Sequence, residues 1–63
     1  MITQQHHDVL AQLDTTNPQS TKQLANTLQW RIVDVFDVLC DLRRFGLVLR
    51  DGDGWVRVVR GVG

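Results

Sequence analysis

Gly46 divides this chain into two parts that keep different periods, and no single kind of regular structure accommodates both. After it, Leu47-Val48-Leu49-Arg50 and Trp55-Val56-Arg57-Val58-Val59 are β-rich runs of period two, separated by Asp51-Gly52-Asp53-Gly54. Aspartate and glycine supply the positive φ angles of a tight hairpin turn. Before Gly46 the apolar residues recur at helical spacing. Thr3 can cap a first helix that runs to about Asp14, placing Ile2, His6, Val9, Leu10 and Leu13 on one buried side. Thr15-Thr16-Asn17-Pro18-Gln19 is turn chemistry, and Ser20 and Gln23 then stand at the spacing of a capping box. The second helix extends to about Leu28, burying Leu24, Ala25 and Leu28, and Gln29 with Trp30 makes the break. A third helix runs from about Arg31 to Phe45, with Gly46 as a left-handed stop and Arg43 and Arg44 at the negative end of its dipole. The expected fold is α+β, mainly α: three helices followed by a two-stranded hairpin.

Sixty-three residues make one small domain, expected over residues 1–60, with Gly61-Val62-Gly63 as a flexible end. Met1, just ahead of a capped helix, reads as a natural start. A chain of this size has a net stability of roughly 3–9 kcal/mol and no room for a large cleft. It shows no nucleophile–base pair and no phosphate-binding glycine loop, so an enzyme is not expected, nor a cofactor. His6 falls inside the first helix's apolar stripe and His7 outside it, and with Cys40 they have no regular ligand spacing. Asp51-x-Asp53 mimics the start of a calcium loop, but Val56 and Val62 occupy the positions of the required glycine and bidentate glutamate. The single cysteine cannot form an internal disulfide, and the first residues lack the order of a secretory signal, so a cytoplasmic setting is expected. No apolar run reaches the length of about 20 residues that spans a bilayer.

The line Leu24-Ala25-x-x-Leu28, then Val35, Leu39, Leu42 and Gly46-Leu47-Val48, resembles the winged helix-turn-helix domains of bacterial regulators of the MarR and ArsR type. The resemblance covers nearly the whole chain. It implies that the third helix enters the major groove of double-stranded DNA and that the hairpin, the wing, touches backbone or minor groove. Winged helices also serve as protein-docking modules, so the fold leaves the function open.

Aligned on the shared leucines and glycine, the positions that face DNA become Arg31, Ile32, Val33, Phe36, Asp37 and Cys40. Bases are read by donors and acceptors and phosphates by cations, and of these six only Arg31 fits well. The apolar positions of this helix cover roughly 240° of its circumference, whereas a surface helix needs a stripe somewhat wider than about 100°. Phe45, Val38, Leu42, Val35, Leu39 and Ile32 account for the domain's own core. Phe36, Cys40 and Val33 exceed it, and Asp34, Asp37 and Asp41 form a carboxylate stripe beside them. The excess either lies under the first helix or the wing, or forms a contact surface for a second copy or another protein. Asp34 can pair with Arg31 and Asp41 with Arg44, whereas Asp37 only repels Asp41.

Arg50, Arg57 and Arg60 flank the wing, but its tip, Asp51-Gly52-Asp53-Gly54, is acidic where a minor-groove wing carries cations. Arg57 alternates with Val56 and Val58 and is expected to point outward. Thr21, Lys22, Thr27 and Gln29 are further phosphate-contact candidates. Both tryptophans read as core, Trp55 as the more exposed of the two.

Two functions follow. The first, placed ahead on the fold's usual role, is a dimeric DNA-binding regulator anchored by Thr21, Lys22, Gln29, Arg31, Arg50 and Arg57. The second is an interaction module that docks on a protein through Ile32, Val33, Phe36 and Cys40, bordered by Asp34, Asp37 and Asp41. The formal charge of zero hides a division: residues 1–42 carry two cations against five carboxylates, a net of −3, and residues 43–63 carry five arginines against two, a net of +3.

Overall fold

The computed structural model describes residues 2–58. It contains α1 (Gln4–Gln12), α2 (Thr21–Leu28), α3 (Ile32–Arg44), β1 (Val48–Asp51) and β2 (Gly54–Arg57), a mainly helical α+β winged-helix layout. Val59, Arg60 and the expected flexible end lie outside the described residues.

Each helix boundary has a local cause. The Thr3 hydroxyl accepts from the His6 N–H, and the Thr3 N–H donates to His6 Nδ1 at 3.0 Å, so a histidine completes the α1 capping box where glutamate or glutamine is usual. Ser20 and Gln23 form the expected box on α2. Gln29 ends α2 in the left-handed region at φ 59°, and Trp30 N–H closes back onto Ala25 O. Gly46, at φ 75°, ends α3 in a Schellman motif: its N–H reaches Arg43 O, and Leu47 N–H reaches Leu42 O at 2.9 Å.

The core is one cluster in which Val9 and Leu13 of the α1 region meet Leu24, Ala25, Val35, Val38, Leu39, Leu42, Val48 and Trp55. Ile2, expected on the buried side of the first helix, is exposed because Thr3 is the cap and Ile2 lies outside the helix. Phe45 and Ile32, expected in the core, are both exposed. Phe45 is the cap residue beyond α3 and sets its ring beside His6, centroids 6.1 Å apart. Ile32 falls within about 20° of Leu39 on the helical wheel but is the first residue of α3, ahead of the buried stripe that begins at Val35.

β1 and β2 pair antiparallel, with Arg50 opposite Trp55 and Val48 opposite Arg57. A bridge that periodicity does not reveal joins the other edge of β2 to the segment before α2: Gln19 and Trp55 exchange both backbone hydrogen bonds, at 3.1 and 2.8 Å. β2 is therefore flanked on both sides, and this corrects the reading of Trp55. It is 1% exposed, at the centre of the core, and its indole N–H donates to the Thr21 hydroxyl at 3.1 Å, while Trp30 is the half-buried tryptophan. Cross-strand partners share a face, so Arg57 lies on the face of Val48 and Trp55, opposite Val56; it is nevertheless exposed, at the foot of the wing. Gly52 supplies the positive φ of the turn, 60°. Gly54 has a different cause, since a Cβ there would stand 2.6 Å from Pro18 Cβ.

The loop after α1 is tied by Asp14. Its carboxylate accepts from the backbone N–H groups of Thr16 and Thr15 and from the Asn17 amide, which together hold it below the ordinary value of 3.8. The Asp14 carbonyl accepts the Arg57 N–H at 2.9 Å, so the same loop also holds the base of β2.

Candidate docking face on the third helix

Val35, Val38, Leu39 and Leu42 face inward from α3, and the opposite side carries what the core leaves out. Ile32 is 51% exposed, Val33 61% and Phe36 44%, while Cys40 is half-buried. Neither α1 nor the wing covers the excess apolar residues.

The two flanks of this face differ. Toward the wing, the Phe36 ring meets the Trp55 ring nearly edge-on, with centroids 6.4 Å apart, and the Arg50 guanidinium lies over the same indole at 5.1 Å from its centroid. A groove of about 420 Å³ opens there, lined by Phe36, Cys40, Arg43, Arg44, Arg50 and Trp55. Its floor is aromatic and its rim is three guanidinium groups. Toward α1, Asp41 approaches His6 rather than Arg44. His6 Nδ1 accepts from Thr3, so the ring proton sits on Nε2 and is donated to Asp41 Oδ2 at 3.3 Å.

The six DNA-contact candidates do not form one cationic surface. Thr21 is half-buried and its hydroxyl is taken by Trp55. Arg31 is the cap residue of α3, and its Nε donates to Asp34 Oδ2 at 3.2 Å, so the cation best suited to a base edge already has a carboxylate beside it. Lys22 and Gln29 are exposed, and Gln29 is held by the left-handed turn. Arg50 stacks on Trp55, and Arg57 lies one pleat nearer the base of the wing. Asp51 and Asp53 at the tip are exposed.

Of the protein-contact candidates, Ile32, Val33, Phe36 and Asp37 are exposed and share the outer side of α3 with Cys40, whereas Asp41 turns to the α1 flank. Arg43, Arg44 and Trp55 belong to the groove but were not singled out as site residues. A helical wheel carries the signal for Arg43, which falls within about 20° of Ile32 and Phe36. Trp55 had no such signal, because the Gln19 bridge that positions it is a single-residue pairing. No family model, curated protein or solved structure matches the chain.

Proposed function

We propose that this winged-helix domain is a non-catalytic binding module that docks on protein through the outer side of α3. One observation carries it: on the helix that would have to enter a DNA groove, the large apolar side chains Ile32, Val33 and Phe36 are about half exposed or more. Covering them removes on the order of 200 Å² of apolar surface from water, about 5 kcal/mol before the costs of association. Protein–DNA interfaces are polar and cationic, and base edges offer such side chains only the thymine methyl. Protein interfaces gather aromatic and apolar residues at their centre and charges at the rim, which is the arrangement of Phe36 and Cys40 inside Asp37, Arg43 and Arg44. The single cysteine fits a reducing, cytoplasmic setting, and no helix among the described residues is long and apolar enough to cross a membrane.

Duplex DNA is the second reading, favoured by the exposed cations Lys22, Arg43, Arg44, Arg50 and Arg57. A photo-crosslinking amino acid in place of Phe36, and separately in place of Lys22, discriminates the two in cell extract. Protein adducts from position 36 support docking through α3. Duplex adducts from both positions, together with a binding constant that falls steeply with salt, replace it with DNA regulation.

A further inference from the structure

The outer side of α3 is complementary to itself. Asp34 and Asp37 lie in its N-terminal half, Phe36 and Cys40 near its middle, and Arg43 and Arg44 in its last turn. Asp37, Arg43 and Arg44 are exposed, and none of them has an ion pair among the described residues. Within one copy Asp37 stands one turn from Asp41, Arg43 and Arg44 share a groove with Arg50, and the Asp41 carboxylate at helical spacing from Arg44 is turned to His6.

We infer that the occupant of this face is a second copy of the chain, with α3 packed antiparallel on α3 about a twofold axis beside Cys40. The inference rests on the docking role of α3 and names its partner. Asp37 and Arg44 lie within about 20° of each other on one flank of the helix, and Phe36 and Arg43 within about 20° on the other. A twofold axis perpendicular to both helices brings like flanks together and reverses their direction. Asp37, three residues before Cys40, then meets Arg44 of the second copy, four residues after it. On the other flank Phe36 meets Arg43 of the second copy, ring against guanidinium. Each contact occurs twice, as an isologous interface requires.

Charge favours a second copy over a foreign acidic partner. A polyanionic surface would gain from Arg43, Arg44 and Arg50 but meet Asp34 and Asp37 on the same helix. A chain with no formal net charge, divided into −3 over residues 1–42 and +3 over 43–63, meets no bulk repulsion from its own copy and finds opposite charge when reversed. The contact is about 20 Å long, one 13-residue helix, which belongs to the small, exchanging class of interfaces.

Sedimentation equilibrium of the 63-residue chain, from about 10 μM to about 1 mM at low salt, tests this. The expected result is a reversible dimer whose dissociation constant rises at least about tenfold in Asp37→Arg and in Arg44→Asp, and returns to within about threefold of the parent in the double variant. Both substitutions are at exposed positions, and melting curves of the three variants check that the fold is kept. A monomer throughout the range, single variants that associate like the parent, or a double variant as weak as the singles overturns the inference. If the chain is monomeric while the crosslinker at position 36 captures another protein, self-association fails and docking through α3 stands. If it captures only duplex, both fail.

Discussion

Two glycines of one turn are predicted to respond to the same substitution by different amounts. At Gly54 an added methyl would lie 2.6 Å from Pro18 Cβ and 3.0 Å from both Gln19 N and Pro18 C. Carbon atoms rest at about 3.5–4.0 Å, so the strand and the Pro18–Gln19 segment must separate by about 1 Å. That segment is held by the two hydrogen bonds between Gln19 and Trp55, and Trp55 is the largest fully buried side chain. Separation weakens those bonds, about 1 kcal/mol each, and adds the usual overpacking cost, so Gly54→Ala is expected to destabilise by about 2–4 kcal/mol. Against a total of roughly 3–9 kcal/mol this is a large share, equivalent to a fall in melting temperature of about 10–30 °C. Gly52 has nothing within 4 Å of an added Cβ but a φ of +60°, so Gly52→Ala costs only the left-handed backbone, about 1 kcal/mol. Urea titrations followed by tryptophan fluorescence measure both, since Trp55 is buried at the bridge itself. Equal losses at the two positions, or a Gly54→Ala variant within about 0.5 kcal/mol of the parent, would refute the steric account. Adding Pro18→Gly, which removes the nearest atom, is expected to recover part of the Gly54→Ala loss.

Asp14 gives the chain an acid-sensitive loop. Its carboxyl is held below the ordinary 3.8 in the folded state, chiefly by the Thr16 N–H, so the stability it contributes is full above that value and is lost as pH falls through the lowered one. Denaturation of Asp14→Ala and the parent, compared from about pH 7 to about pH 2.5, should show a deficit that narrows in acid; a deficit constant with pH would mean the charge is not its basis. Gln29 holds a left-handed conformation without a glycine, at φ 59° and ψ 39°, and its side chain has no hydrogen bond among the described residues. Gln29→Gly should raise stability by about 0.5–1 kcal/mol in the same titration, and a loss would show that the glutamine side chain contributes something the backbone does not explain.

What could be read in advance were the features written within one turn of helix or one hairpin. Ser20 with Gln23, Gly46 after Phe45, and the Asp-Gly steps between two β-rich runs each encode a boundary in residues that are neighbours in sequence. The excess apolar arc of α3 was legible too, as a count that exceeds what one core can cover. Which residues made up the excess was less so, because a wheel gives angles and not where neighbouring elements end. Ile32 was assigned to the core and is exposed, since it opens the helix beyond the reach of the wing. Interactions across the chain left no local trace. The Asp41 carboxylate had Arg44 at helical spacing and instead took His6, thirty-five residues away, because α1 packs along that flank. Trp55, read as the more exposed tryptophan at the start of the return strand, lies in the middle of a three-segment sheet, because one residue of the preceding loop completes it.

The face on α3 follows from how few elements a chain of this size can place around its longest helix. The core takes the side with Val35, Val38, Leu39 and Leu42, and α1 takes the flank with Asp41 and Phe45. The wing reaches the opposite flank but turns its indole inward: Trp55 fills the core and offers Phe36 only an edge, while Arg50 closes over the indole. Nothing in the described chain remains to cover Ile32, Val33 and the outer side of Phe36. A helix that only had to complete its own core would carry polar residues there at no structural loss, since those positions already meet water. Placing three large apolar side chains on the exposed side, between a carboxylate at one end and two guanidinium groups at the other, makes sense when a surface of reversed polarity packs against them.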